Sequence, residues 1–152
     1  MSVQSLSTES HSSAETEALA EKLGRMLPGG TVLALSGELG AGKTVFVRGL
    51  ARGLGVPEGV AVTSPTYVLL HRYSGGRLTL HHIDAYRLRG GAGEFESSGL
   101  AECLSDPHGI VCIEWPERLG ALKLPSETIR VEIEHLDPQR RRVTVRSSKD
   151  EV

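Results

Sequence analysis

The sequence has few cysteines, few aromatic residues and no long apolar run. Its two cysteines, Cys103 and Cys112, suit neither a disulfide framework nor a zinc site, and we interpret both as small core residues. With two Phe, three Tyr and one Trp, the core must be mostly aliphatic. No stretch approaches the ~18 apolar residues of a membrane span, and the N-terminus lacks a secretory signal pattern. We therefore expect a reduced, cytoplasmic protein without membrane association.

Basic and acidic residues nearly balance. The chain has 17 Lys and Arg and 19 Asp and Glu, for a formal net charge of −2. That balance excludes a uniformly basic surface but allows a local basic patch. We expect no DNA binding. A length of 152 residues favours one domain. We expect a disordered Ser-rich tail over residues 1–12, a single domain over 13–145 and a polar tail over 146–152.

The apolar pattern predicts a mixed α/β architecture. A capping box at Ser12 and Glu15 indicates a helix that ends near Pro28. Two continuous apolar runs predict strands buried on both faces. The remaining expected elements are a second helix, a short third helix and two antiparallel hairpins. These segments are residues 31–36 and 109–114 for the buried strands, 43–54 for the second helix, 94–104 for the short helix, and 67–86 and 129–145 for the hairpins. Together they predict an α/β fold of three layers, with helices on both faces of a mixed sheet.

A phosphate-binding motif lies between the first buried strand and the next predicted helix. It comprises Gly37, Glu38, Leu39, Gly40, Ala41, Gly42, Lys43 and Thr44, and it matches G-x-x-x-x-G-K-[ST] in full. Glycines let the backbone N–H groups approach phosphate, whose charge the helix N-terminus stabilises. We predict that Lys43 reaches the β- and γ-phosphates and that the Thr44 hydroxyl binds Mg²⁺. With this motif, the predicted three-layer fold is P-loop NTPase-like.

Two carboxylates are candidates for completing a magnesium site. Glu114 closes the buried run 110–113, and Asp84 lies near the end of another predicted strand. A phosphate-binding loop needs such a group to hold Mg²⁺. The two side chains either divide metal binding and water activation between them or are solvated carboxylates at strand ends. With Lys43, they form the predicted catalytic set.

Several other polar features remain open from the residues alone. The segment from Thr63 to Thr66 is either a γ-phosphate sensor or a turn. Strand alternation puts His82 and Asp84 on one face and His81 on the other, so a zinc site lacks a third ligand. The run 140–142 of three arginines is either a solvated edge or a contact to phosphate or tRNA.

Trp115 directly follows Glu114 and is the single tryptophan of the chain. One interpretation places it beside the nucleotide or at a partner interface, where tryptophan is enriched. The other makes it a residue at the rim of the core. Alternation turns its side chain away from the face that carries Glu114.

Five segments together resemble the TsaE family, also called YjeE, of P-loop ATPases needed for threonylcarbamoyladenosine formation in bacterial tRNA. The Thr-Ser-Pro-Thr and Glu-Trp-Pro sequences are more specific to that family than the phosphate-binding loop is. The five segments are residues 13–20, 37–50, 63–67, 82–88 and 114–118.

The resemblance implies an ATPase that binds ATP with Mg²⁺ and acts with TsaB and TsaD homologues, so that contact with tRNA is indirect. Hydrolysis is expected to be weak without these partners and to reset their complex between turnovers. By the same resemblance, Thr44, Glu114 and Asp84 are assigned to the metal site. Thr16 approaches the adenine, and Thr63 and Thr66 belong to a switch-like loop.

Two other classes of P-loop protein compete with this interpretation. A GTPase is suggested by residues 106–109, which fit D-x-x-G, but they precede a strand, and no N-K-x-D segment occurs. A small-molecule kinase needs an acceptor pocket and an arginine-rich lid, for which a chain of 152 residues has little room.

Overall fold

The computed structural model describes residues 6–37, 42–57, 70–85, 100–116, 124–125 and 127–147. These residues form seven strands and three helices. In chain order they are β1 (Leu6–Ser10), α1 (Ser13–Met26), β2 (Val32–Gly37), α2 (Lys43–Gly53), β3 (Leu70–Tyr73), β4 (Thr79–Asp84), α3 (Leu100–Leu104), β5 (Gly109–Glu114), β6 (Ile129–His135) and β7 (Arg141–Ser147).

All seven strands belong to one mixed sheet in the order β1-β7-β6-β2-β5-β4-β3. The four inner strands β6, β2, β5 and β4 run parallel. The pairs β3–β4, β6–β7 and β1–β7 are antiparallel, which confirms both predicted hairpins. The phosphate-loop strand β2 therefore lies between β5 and β6, and its carboxyl end meets the ends of β4 and β5 at one edge of the sheet.

Helices cover both faces of the sheet, as predicted. A larger apolar cluster, which includes Phe46, Leu35 and Val131, fills the space between α1, α2 and one sheet face. A smaller cluster on the opposite face includes Val111 and Ile113 and packs against Cys103 of α3. Cys103 and Cys112 are both buried free thiols, so their interpretation as core residues is confirmed. No described helix is long and apolar enough to span a membrane.

The prediction of a disordered tail over residues 1–12 is wrong for Leu6–Ser10. This segment forms edge strand β1 and pairs antiparallel with β7 from Leu6↔Val145 to Ser10↔Arg141. Four of its five side chains are exposed, so it is held by backbone pairing and not by apolar burial. The predicted polar tail likewise begins too early, because β7 continues to Ser147.

Helix α1 begins where the capping pattern predicts. The Ser12 hydroxyl accepts a hydrogen bond from the Glu15 N–H at 3.1 Å. Of the helix predicted over residues 94–104, the described part, Leu100–Leu104, is helical. The rest of that prediction lies outside the described residues.

Gly49 allows α1 and α2 to pack closely. A Cβ atom at this position would lie 2.3 Å from the Glu17 carbonyl oxygen and 2.7 Å from the Ala20 Cβ. Alanine is normally the better helix former by up to about 1 kcal/mol. In this close contact, alanine should instead be less stable than glycine.

We therefore expect Gly49→Ala to lower the free energy of unfolding by about 1–3 kcal/mol, because the helices must separate to admit the methyl group. Chemical denaturation with circular dichroism measures the change. Lys22→Ala at an exposed position of α1 is the control and should stay within about 0.5 kcal/mol of the unmodified chain. A more stable Gly49→Ala protein would contradict this account of the packing.

Candidate functional site

The described ends of the phosphate-binding motif lie on the two elements that the sequence predicts. Strand β2 ends at Gly37, and Gly42 is the N-cap of α2. Gly42 has φ 108° and ψ 19°, a conformation that side chains with a Cβ disfavour. The intervening loop residues 38–41 lie outside the described residues. The N-terminus of α2 thus directly follows the loop, as an anion site requires.

Lys43 is held at the base of this loop. Its side chain is buried, and Nζ donates a hydrogen bond to the Gly37 carbonyl oxygen at 2.8 Å. Nζ also lies 3.6 Å from the centre of the Trp115 ring, a cation–π arrangement. A buried ammonium group is costly unless such groups compensate it. The structure therefore holds the positive charge of Lys43 at the point where β2 leads into the loop.

Trp115 adopts an unusual backbone conformation directly after β5. Its φ is 59°, in the left-handed region that bulky residues seldom occupy. The half-buried ring packs against the smaller apolar cluster while it also contacts Lys43. The structure thus brings Trp115 to the phosphate-loop lysine and to the edge of the core. Its functional role stays a prediction.

Asp84 and Glu114 end neighbouring parallel strands and are paired in register. Paired residues on adjacent strands lie about 4.8 Å apart across the sheet and point to the same face. Glu114 is also paired with Leu35 of β2, close to the start of the loop. The structure therefore brings both predicted carboxylates to the sheet edge that carries Gly37.

A buried contact that the sequence analysis missed involves His82 and Glu114. His82 is fully buried, Glu114 is 3% exposed, and His82 Nε2 is hydrogen-bonded to Glu114 Oε2. The Nδ1 atom of His82 has no hydrogen-bond partner among the described residues. The register of β4 and β5 places the two side chains on one face, and their contact depends on this strand order, which no sequence motif states.

His81 points to the other face of β4, as alternation predicts. Its Nε2 lies 2.8 Å from Asp106 Oδ2, and its Nδ1 accepts a hydrogen bond from Arg72 Nε at 3.3 Å. The hydrogen bond from His81 is the main cause that lowers the pKa of Asp106. Within the described part of the chain, no group of three or more His, Cys, Asp or Glu side chains is arranged to hold a metal ion.

Asp106 begins the D-x-x-G sequence that suggested a GTPase. It precedes the amino end of β5, whereas Gly37 lies at the carboxyl end of β2. Because β2 and β5 are parallel, Asp106 and the phosphate-binding loop lie at opposite edges of the sheet. The hydrogen bond between Asp106 and His81 gives this carboxylate a structural role.

A cavity of about 140 Å³ lies beside the N-terminus of α2. The start of α1 and the β6–β7 turn line this cavity together with Gly42, the described end of the loop. Its lining residues are Ser12, Ser13, Thr16, Gly42, Val45, Pro138, Gln139 and Arg141. Thr16 thus lines the same cavity as Gly42, and its Oγ1 lies 2.6 Å from the Ser10 hydroxyl oxygen. Its approach to the adenine stays a prediction. The sequence analysis did not identify Gln139, and it indicated Arg141 only as part of the run of three arginines.

Two groups close to the candidate site have shifted pKa values. Burial, followed by the charge of Glu114, raises the pKa of the Cys112 thiol well above its usual range. In the β6–β7 turn, the hydrogen bond from Arg140 lowers the pKa of Asp137 to about 2. Asp137 therefore stays ionised and its contact with Arg140 orders the turn that reaches the cavity. Thr63 and Thr66 lie outside the described residues.

Comparison with known proteins gives a consistent result. The sequence model of the family described as "Threonylcarbamoyl adenosine biosynthesis protein TsaE" matches residues 10–143. The chain is 43% identical over 136 residues to the tRNA threonylcarbamoyladenosine biosynthesis protein TsaE of Treponema pallidum, covering 90% of this chain and 96% of the relative. Its counterpart from Aquifex aeolicus is 40% identical, with coverage of 86% and 88%.

A crystal structure of Bacillus subtilis YdiB shares the fold. It superposes with a TM-score of 0.72 at 30% sequence identity, and the match covers 95% of this chain and 86% of the other. The similarity thus extends over nearly all of both proteins and includes the mixed sheet described above.

Proposed function

Because the chain belongs to the TsaE family of threonylcarbamoyl adenosine biosynthesis proteins, we propose that it binds and hydrolyses ATP with Mg²⁺ in the modification of tRNA beside the anticodon. The observation that carries this proposal is the placement of Lys43. Its buried ammonium group lies at the start of α2, at the same sheet edge as the paired carboxylates Asp84 and Glu114. That edge combines groups for phosphate and for a divalent cation.

The phosphate groups of ATP are assigned to the loop and to Lys43. Backbone N–H groups at the start of α2 bind the phosphate oxygens, and Lys43 exchanges its contact with the Gly37 carbonyl for the β- and γ-phosphates. Positioning and electrostatic stabilisation supply most of the catalysis of phosphoryl transfer. A lysine that is already held beside the loop is suited to position the phosphates and to stabilise their charge.

The donor set at the same edge fits Mg²⁺. Magnesium prefers oxygen ligands, and the Thr44 hydroxyl, Glu114 and Asp84 supply three. Glu114 is buried, and a buried carboxylate is favourable only with compensating groups, among which a cation is the strongest. When bound, Mg²⁺ neutralises the charge that develops on the phosphates. Of the two carboxylates, the more exposed Asp84 is suited to orient the attacking water.

The cavity beside α2 is suited to the base of the nucleotide. It adjoins Gly42, the described end of the phosphate-binding loop, and contains the polar residues Thr16, Gln139 and Arg141. This supports the assignment of the adenine to the region around Thr16. We keep the proposed role of Thr63 and Thr66 in a switch-like loop. We also keep the proposed place of Trp115 beside the nucleotide.

The proposed partners are TsaB and TsaD homologues in the cytoplasm, with tRNA reached through them. The family's place in threonylcarbamoyladenosine biosynthesis supports this assignment. An ATPase that times a complex by conformational change is expected to hydrolyse slowly alone. Partner-stimulated hydrolysis is therefore the expected behaviour, and a small-molecule kinase would instead require an acceptor substrate.

Trp115 provides a direct test of nucleotide binding. Because its ring contacts Lys43, we expect the intrinsic fluorescence to change when ATP and Mg²⁺ engage the lysine. GTP should require a much higher concentration for the same change. Hydrolysis is then measured with the chain alone and with TsaB, TsaD and tRNA, where a rise in rate is expected. A clear preference for GTP, or phosphate transfer to a small acceptor, would refute the proposal.

A further inference from the structure

The buried pair of His82 and Glu114 has an energetic imbalance. Nε2 of His82 is bonded to the carboxylate, while Nδ1 is buried without a partner among the described residues. An unsatisfied buried polar atom costs about 1–3 kcal/mol. Apolar side chains of similar size often fill such a site with equal or better stability. The presence of histidine here is therefore poorly explained by stability alone.

The carboxylate of Glu114 depends on this one contact. Among the described residues, His82 is the single side chain that hydrogen-bonds Glu114, and it binds only Oε2. His82 is itself fully buried within β4, so its ring has little freedom to turn. A donated Nε2–H hydrogen bond therefore fixes one carboxylate oxygen and leaves Oε1 for another ligand.

We propose that His82 is a positioning residue for the Mg²⁺ site, which orients Glu114 by donating its Nε2–H to Oε2. The proposal rests on the proposed function, since it assigns Glu114 to the metal. Residues that orient metal ligands in this manner typically contribute 10–100-fold to metal affinity. His82 would thus act on Mg²⁺ through Glu114 without touching metal or nucleotide.

The test is the Mg²⁺ dependence of ATP binding to the full chain, measured by calorimetry. His82→Leu removes the donor and should raise the Mg²⁺ concentration for half-maximal binding about 10–100-fold. ATP binding in EDTA should stay unchanged. His82→Gln retains an N–H near the position of Nε2 and should restore most of the Mg²⁺ affinity. If His82→Leu does not fold, His82→Asn, whose amide is too short to reach Glu114, replaces it.

His81→Leu is a matched control from the same strand. It also removes a buried histidine that contacts a carboxylate, but that contact is to Asp106 on the opposite face. We expect it to lower the melting temperature without changing the Mg²⁺ requirement. In a Glu114→Gln background, His82→Leu should produce no further shift, because the two residues act as a unit.

The outcomes separate this proposal from the function on which it rests. If the unmodified chain shows no Mg²⁺-dependent ATP binding, the proposed function fails. If it does, but folded His82→Leu binds Mg²⁺ normally, only the role of His82 is overturned. Equal shifts in His82→Leu and His82→Gln, or an equal shift in His81→Leu, would likewise reject positioning by this hydrogen bond.

Discussion

Lys43→Ala is expected to reduce ATP hydrolysis by roughly 10²–10³-fold, the usual loss when one pre-organised charge-stabilising group is removed. Nζ of Lys43 already lies beside the loop, next to the Gly37 carbonyl and the Trp115 ring, so only its hydrogen bond to Gly37 must be exchanged when phosphate arrives. The fold should survive, because the substitution removes a buried charge whose desolvation opposes folding. Partner-stimulated hydrolysis and the melting temperature measure the two effects.

The same substitution should abolish the fluorescence response of Trp115 to ATP, since the cation beside the ring is gone. Lys22→Ala, which changes an exposed lysine of α1, is the matched control and should hydrolyse ATP normally. Unaltered hydrolysis by a folded Lys43→Ala protein would refute the role of the loop in binding phosphate.

Glu114→Gln is expected to raise the Mg²⁺ requirement for hydrolysis by roughly 100-fold, more than Asp84→Asn does. The two positions are paired in register, but Glu114 is buried whereas Asp84 is half-buried. A buried charge is screened less by water and salt, so its loss weakens cation binding more. Asp84→Asn should mainly lower the maximal rate, because we assign Asp84 to water orientation.

Titration of Mg²⁺ against the hydrolysis rate in both variants distinguishes these roles. Each substitution conserves side-chain volume, so the unmodified chain and its melting temperature are sufficient controls. A larger shift in Asp84→Asn would transfer the principal metal contact to Asp84. If neither variant responds, the metal site does not lie at this sheet edge.

Local sequence pattern predicted the features that depend on neighbouring residues. Continuous apolar runs identified β2 and β5, whose side chains are buried on both faces. The Ser12 capping pattern located the start of α1, and alternation correctly separated His81 from His82. These signals work because caps and strand periodicity are set by short-range geometry.

Features that depend on strand order were not predictable in the same way. Strand β1 has a polar sequence and exists because the edge of β7 is available for pairing. The contact between His82 and Glu114 requires β4 to lie next to β5. The cavity requires the β6–β7 turn to reach α1 and α2, which brings Arg141 to Thr16. Thr63 and Thr66 remain predictions from the sequence.

The pairing of β1 with β7 has a consequence for synthesis on the ribosome. Leu6 is paired with Val145, so this edge of the sheet can close only after residue 145 has emerged. Strand β2 also waits, because both of its neighbours, β5 and β6, are translated after it. Such long-range pairing is slow to form. A nascent chain would therefore complete the proposed nucleotide site only after β6 and the β6–β7 turn have emerged, so that competence to bind ATP would lag well behind synthesis of the phosphate-binding loop.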